Sequence, residues 1–362
     1  TKFEHQMKKS ALTKSISFND FKKEILNDYK TILISREASL LGRKEVLSGK
    51  AKFGIFGDGK ELPQIAMAKV FEKGDFRSGY YRDQTFMFAI NELNVKQFFS
   101  GLYANTNLIE EPMSGGRQMG SHFSSVFLND DGSFKDLTNQ YNISSDISPT
   151  SGQMPRLLGL AMASKLYREG NFNSENFSNN GNEIVWGTIG NASTSEGLFF
   201  EVVNAVGVHQ VPAVICIWDD EYGISVDNSY QTTKSSISEI LKGYQRNNKE
   251  KGFEILSVNG WDYPNLISTF EFASSVARKE HVPVIIHVKE LTQPIGHSTS
   301  GSHERYKSQD RLDWEKKYDC NTKMKEWILE NGLSNIKELD KLEIECKDFV
   351  KKQKRNAWDS FQ

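Results

Sequence analysis

Residues 183–218 read EIVWGTIGNASTSEGLFFEVVNAVGVHQVPAVICIW, and this stretch decides the fold. EIVWGTI (183–189) is a short apolar, β-rich run, and VPAVICIW (211–218) is a second. Between them, 195–209 carries helical periodicity, with Thr194 or Ser195 as the candidate cap. A strand, a helix and a strand without alternating polar residues form one βαβ unit of a parallel sheet buried on both faces. The pattern continues outward. FEILSVNG (253–260), the helix 263–280 and VPVIIHVKEL (282–291) repeat it downstream, with a helical reading of 236–247 between. Upstream, QMPRLLGLAMASKLYREG (153–170) is an apolar-faced helix ending at a glycine. The expected fold is α/β, a parallel sheet with helices on both faces.

The flanks read differently. Residues 18–50 predict a long helix, with Phe21, Ile25, Tyr29, Ile32 and Leu33 recurring at three and four. Residues 51–62 are Gly-rich and must turn, and Pro63 then sits in the first turn of a further helix. The stretch 104–152 is long and irregular, as functional loops are. The charged tail reads as helical, an arm or a linker. Three regions are expected: an N-terminal helical extension (1–50), an α/β domain (51–302) and a C-terminal helical arm or linker (303–362).

Composition excludes several function classes. Among 362 residues, 45 Lys and Arg nearly balance 47 Asp and Glu, which leaves no basic field for nucleic acid. No apolar run is long enough to span a membrane. Three cysteines at 216, 320 and 346 are too far apart for a CxxC metal site or a disulfide framework. The first residues lack the apolar core of a secretory leader, so a reducing, cytoplasmic setting is expected.

The chemistry should lie at the carboxyl ends of the strands. The first strand of the quoted unit runs into Gly190-Asn191-Ala192-Ser193, small residues that let backbone approach an anion at a helix start. The second runs into Asp219-Asp220-Glu221-Tyr222-Gly223-Ile224. Asn191 and Asp220 thus stand at neighbouring strand ends, one βαβ unit apart. An amide, a carboxylate and a backbone oxygen suit Mg²⁺, which completes its shell on phosphate oxygens.

These two loops resemble the thiamine-diphosphate motif, in the form found in alpha subunits of the decarboxylating component of 2-oxoacid dehydrogenase complexes of the branched-chain or pyruvate type. That family has G-[DE]-G-A-x-x-[EQ]-G where this chain has GNASTSEG, and N-N-x-Y-[GA]-I-S where it has DDEYGIS. Further motifs follow the family's order: GDGKEL (57–62) for G-x-G-Q-E-A, YYRDQ (80–84), GGRQMGSHF (115–123), SPTSGQMP (148–155) and PIGHSTSGSHERY (294–306). The resemblance implies that Tyr81 and Arg82 hold the cofactor, with Ser148, Thr150, Gly190, Asn191, Ala192, Ser193, Tyr222, Ile224 and His297. It implies metal ligation by Asn191, Asp220 and the Tyr222 carbonyl, with His297 as the catalytic group. The literal GDG at 57–59 is a decoy, because no amide or carboxylate pair follows it at the motif's spacing.

Two departures stand out. Amide and carboxylate have traded places at 191 and 220, which we read as a swap that preserves the charge around the metal rather than as a lost metal site. Trp218 stands where the family has a phosphate-contacting side chain. The implied activity is oxidative decarboxylation of a 2-oxoacid with reductive acylation of a lipoyl domain. It requires a beta-type subunit or a fused beta half to supply the proton-relay carboxylate, in an alpha–beta heterotetramer. The alternatives are an acetoin-type dehydrogenase alpha subunit and a non-catalytic diphosphate-binding module.

Overall fold

The computed structural model describes residues 17–170, 172, 175–297 and 302–362. Ser17 starts the first helix, its hydroxyl accepting the Asp20 backbone N–H at 3.1 Å. From there α1 (Phe18–Leu47) leads to α2 (Glu61–Val70), β1 (Phe76–Ser78), α3 (Gln84–Ala89), α4 (Val95–Leu102) and β2 (Asn142–Ile143). Next come α5 (Gln153–Glu169), β3 (Val185–Gly190), α6 (Gly197–His209) and β4 (Ala213–Trp218), then a small antiparallel ribbon, β5 (Tyr222–Gly223) with β6 (Val226–Asp227). The chain continues through α7 (Ile237–Ile240), β7 (Glu254–Asn259), α8 (Tyr263–Glu280) and β8 (Val284–Lys289), and ends with α9 (Gln309–Lys317), α10 (Cys320–Glu330) and α11 (Ile336–Phe361).

Six strands form one parallel sheet in the order β2-β1-β3-β4-β8-β7. The expected α/β fold with helices on both faces is therefore the observed one. Alternation within each apolar strand explains it. Trp186, Val214, Cys216 and Trp218 point to the face covered by α8, where Leu266, Phe270 and Ala273 pack. Val185, Ile189, Ile215 and Ile217 point to the other face, against Leu157 of α5 and Phe199 and Val203 of α6. Both faces are covered, so the central strands are largely apolar, and the buried polar exceptions are paired, Thr188 with Asp83 and His287 with Asp219. The order reverses beside β1, with β2 on one side and β3 on the other, and parallel α/β sheets hold ligands in the crevice at such a point.

Several local expectations are corrected. β1 and β2 were not foreseen, being too short to show a period. Neither Thr194 nor Ser195 caps α6. A 3₁₀ turn, Ala192–Ser195, intervenes and Glu196 takes the cap position. Thr194 instead donates to the Asn191 carbonyl at 2.6 Å, and Ser195 to that of Gln231 at 3.0 Å. The helix read over 236–247 shrinks to α7 and a 3₁₀ turn, Leu241–Tyr244.

The charged tail lies along the body of the molecule. α11 buries Leu339, Cys346, Val350 and Ala357. The Tyr29 hydroxyl of α1 donates to Glu343 at 2.9 Å, and the Trp358 ring meets Tyr103 at 5.0 Å. α10 is tied in through Arg36 of α1, which pairs with Glu61 at 2.6 Å and with Asp319 at 2.9 Å.

Candidate functional site

The turn after β1 is set by a buried guanidinium. Arg77, fully buried, donates to Asp83 at 2.6 and 2.9 Å, to Asp146 at 3.0 Å and to the Tyr80 carbonyl at 2.9 Å. Asp83 also accepts the Trp218 indole N–H at 3.1 Å and the Thr188 hydroxyl. Trp218 thus points into the core, its ring stacked 6.4 Å from Phe270, and so offers nothing to a diphosphate at the strand end. This network fixes Tyr80, Tyr81 and Arg82 over the crevice between β1 and β3.

Among the described residues, three buried polar atoms at this crevice have no partner: the Tyr80 hydroxyl, Asn191 Nδ2 and His297 Nδ1. Buried polar atoms are normally paired, so unpaired ones at a strand-end crevice make it the candidate ligand seat. The Tyr80 hydroxyl reaches the edge of Gly190, where a Cβ would stand 3.6 Å from it. Burial pushes the Tyr80 phenol well above its usual range. Burial, and then the Arg82 charge, push His297 down to about 3, so its imidazole is neutral at ordinary pH.

The other expected residues fall as follows. Arg82 is buried and donates to the carbonyls of Phe56 and, at 3.0 Å, His297, joining the loop before α2 to the loop after β8. Tyr81 stacks on His122 at 5.8 Å, and His122 bonds the Ser148 hydroxyl at 2.9 Å. Ser148 and Thr150 are exposed, whereas Ser151 is buried and donates to the Ser193 carbonyl at 2.6 Å. Gln153 donates to the Thr188 carbonyl at 2.9 Å. Ala192 and Ser193 form the 3₁₀ turn beside Asn191. Ile224 is 59% exposed.

Asp220 has a partner that the strand-end argument missed. Lys60, only 1% exposed, donates to it at 2.8 Å, to Gln293 Oε1 at 2.6 Å and to the Thr292 carbonyl at 3.2 Å. The other carboxylate oxygen accepts the Tyr222 N–H at 3.2 Å, and Arg311 donates to the Asp220 carbonyl at 2.9 Å. Burial works to raise the Asp220 carboxyl, but Lys60 and Arg82 outweigh it and hold it below its usual range. Asp58 is a structural acceptor, as its decoy status implied. It takes Gln293 Nε2 and the Ile295 N–H, each at 3.0 Å, and burial lifts its carboxyl to about 6. Lys60 was legible in one respect, since it stands where the G-x-G-Q-E-A segment has glutamine. Tyr80 carried no separate signal beside Tyr81.

A parallel sheet with unpaired polar groups gathered at its switch point is the architecture of α/β proteins that seat a ligand at strand ends. A protein-family model described as dehydrogenase E1 component matches residues 29–361, and the chain belongs to that family. It is 26% identical to the 2-oxoisovalerate dehydrogenase subunit alpha of Bacillus subtilis (strain 168), over 86% of this chain and 83% of that protein. It is 24% identical to the mitochondrial 2-oxoisovalerate dehydrogenase subunit alpha of Dictyostelium discoideum, over 82% of this chain and 58% of that one. Against the pyruvate dehydrogenase E1 component subunit alpha of Rickettsia bellii (strain RML369-C) it is 25% identical over 55% of each. The chain thus spans most of the Bacillus relative and somewhat over half of the other two. Membership places it among thiamine-diphosphate-dependent decarboxylating components of the 2-oxoacid dehydrogenase class.

Proposed function

We propose that this chain is the alpha part of a decarboxylating 2-oxoacid dehydrogenase, acting on a branched-chain 2-oxoacid or pyruvate and passing the acyl group to a lipoyl domain. The observation that carries the reading is the unpaired trio Tyr80, Asn191 and His297 beside Arg82 at the switch point, in a chain of this family. When bound, thiamine diphosphate supplies the nucleophilic carbon and the electron sink for loss of carbon dioxide. The chain's own residues bind and orient. Arg82 is the guanidinium for the diphosphate, and Asn191 Nδ2 gives a phosphate oxygen the donor it lacks a partner for. Ser151, through the Ser193 carbonyl, holds the 3₁₀ turn that presents Asn191. His297, kept neutral, donates or accepts a hydrogen bond at the reacting end and stabilises charge that develops there.

The expected Mg²⁺ does not fit the residues as they stand. Both Asp220 oxygens are engaged, one by a buried ammonium. The relay carboxylate is assigned to a beta-type subunit or fused beta half. A cytoplasmic setting accords with three free, buried cysteines. Among the described residues, no helix is long and apolar enough to cross a membrane.

The test is turnover of 3-methyl-2-oxobutanoate and of pyruvate with an artificial electron acceptor, by the chain alone and with the beta-type partner. Activity only in the assembled pair supports the reading. No turnover of either acid by the pair, with thiamine diphosphate bound, refutes it in favour of a non-catalytic diphosphate module.

A further inference from the structure

We infer that the Lys60 ammonium is the resident cation of this site, taking the place beside Asp220 that a divalent ion would need, so that the diphosphate is held without a metal. The inference rests on the thiamine-diphosphate reading above. An ammonium has three donors, and three acceptors meet it here: Asp220, Gln293 Oε1 and the Thr292 carbonyl. Gln293 is itself held by Asp58 at 3.0 Å, so the acceptors around Lys60 are fixed. The Lys60 side chain is only 2% exposed. A divalent ion approaching Asp220 would meet a positive charge 2.8 Å from the same carboxylate.

A second observation is independent of Lys60. The buried, unpaired atom of Asn191 is Nδ2. That is a hydrogen-bond donor, which repels a cation and suits a phosphate oxygen. With Lys60 and Asp220 neutralising one another, Arg82 carries the net positive charge that faces the ligand. In GDGKEL, Lys60 stands in place of the resemblance's glutamine, a neutral side chain, so the cation has moved from solution into the chain.

The test is a calorimetric titration of thiamine diphosphate into the full chain assembled with its beta-type partner. It is run in EDTA and in millimolar Mg²⁺, with metal analysis of the loaded protein. Affinities equal within about threefold, and no stoichiometric metal, are expected from a resident ammonium whose field does not depend on salt composition. Binding that strengthens tenfold or more with Mg²⁺, with metal retained, overturns the inference and leaves the thiamine-diphosphate reading standing. Absence of binding under both conditions overturns both. Lys60→Gln removes the ammonium and frees Asp220, and its binding is expected to become at least tenfold Mg²⁺-dependent. A Lys60→Gln protein that folds and still ignores Mg²⁺ overturns the inference. If that variant fails to fold, the titration and metal analysis of the unaltered protein decide alone.

Discussion

Arg77→Met removes the charge that holds the turn after β1. The side chain is fully buried and makes four hydrogen bonds to Asp83 and Asp146 and one to the Tyr80 carbonyl. Methionine fills much of the volume but leaves two carboxylates in a dry interior. Removing one partner of a buried ion pair costs about 3–5 kcal/mol. Against a typical total of about 5–15 kcal/mol, that is a large fraction of the stability. The sign of the pH dependence distinguishes this cause from lost packing. Burial raises the folded-state pKa of Asp146 above its usual value despite Arg77. The folded protein therefore binds that proton more readily than the unfolded chain, and this group's contribution to stability falls as pH rises through the raised value. Without Arg77 the raised value moves higher, so the variant should lose more at about pH 8 than at about pH 5. Urea denaturation at the two pH values measures it. A loss below about 1 kcal/mol, or an equal loss at both, refutes the claim that the guanidinium neutralises buried charge here.

His297→Ala in the assembled enzyme should lower kcat roughly 10²–10⁴-fold with little change in melting temperature, and an unchanged kcat removes His297 from the site. The His297 ring resonances should not move between about pH 5 and pH 8, because its pKa lies at about 3; a midpoint near 6.5 would show the ring in water. Gly59→Ala should destabilise by about 1–3 kcal/mol in a thermal melt, since φ there is +83° and a Cβ would run into the Thr292 carbonyl. Trp358→Ala should cost about 2 kcal/mol in urea, less than a fully buried tryptophan, because the ring is half-buried against Tyr103.

The long elements were legible because their burial is periodic. The run through Val185–Gly190, α6 and Ala213–Trp218 shows strands that are apolar but for Thr188, and α8 matched its reading at both ends, Tyr263 and Glu280. β1 escaped because its central residue is Arg77, a charged side chain whose burial depends on Asp146, distant in sequence. The packing of the tail was present in outline: Leu339, Cys346, Val350 and Ala357 are spaced by seven, four and seven, a helical seam hidden among lysines and glutamates. In the site, the pairing of strand ends was legible, since Gly190 and Trp218 are in register and place Asn191 near Asp220. The partner of Asp220 was not. Lys60 lies 160 residues away, and no local pattern reports a contact that only the closed fold creates.

The packing of α1 against α11 also has a consequence for biosynthesis. Tyr29 and Glu343 are 314 residues apart. At a synthesis rate of about 5–20 residues per second, α1 leaves the ribosome roughly 15–60 s before the helix that covers it. During that interval the apolar side of α1 facing α11 has no native cover, and its closure must wait for α11 to emerge. Nascent chains stalled before α11 should therefore recruit chaperones at α1, and chains stalled after α11 has emerged should not.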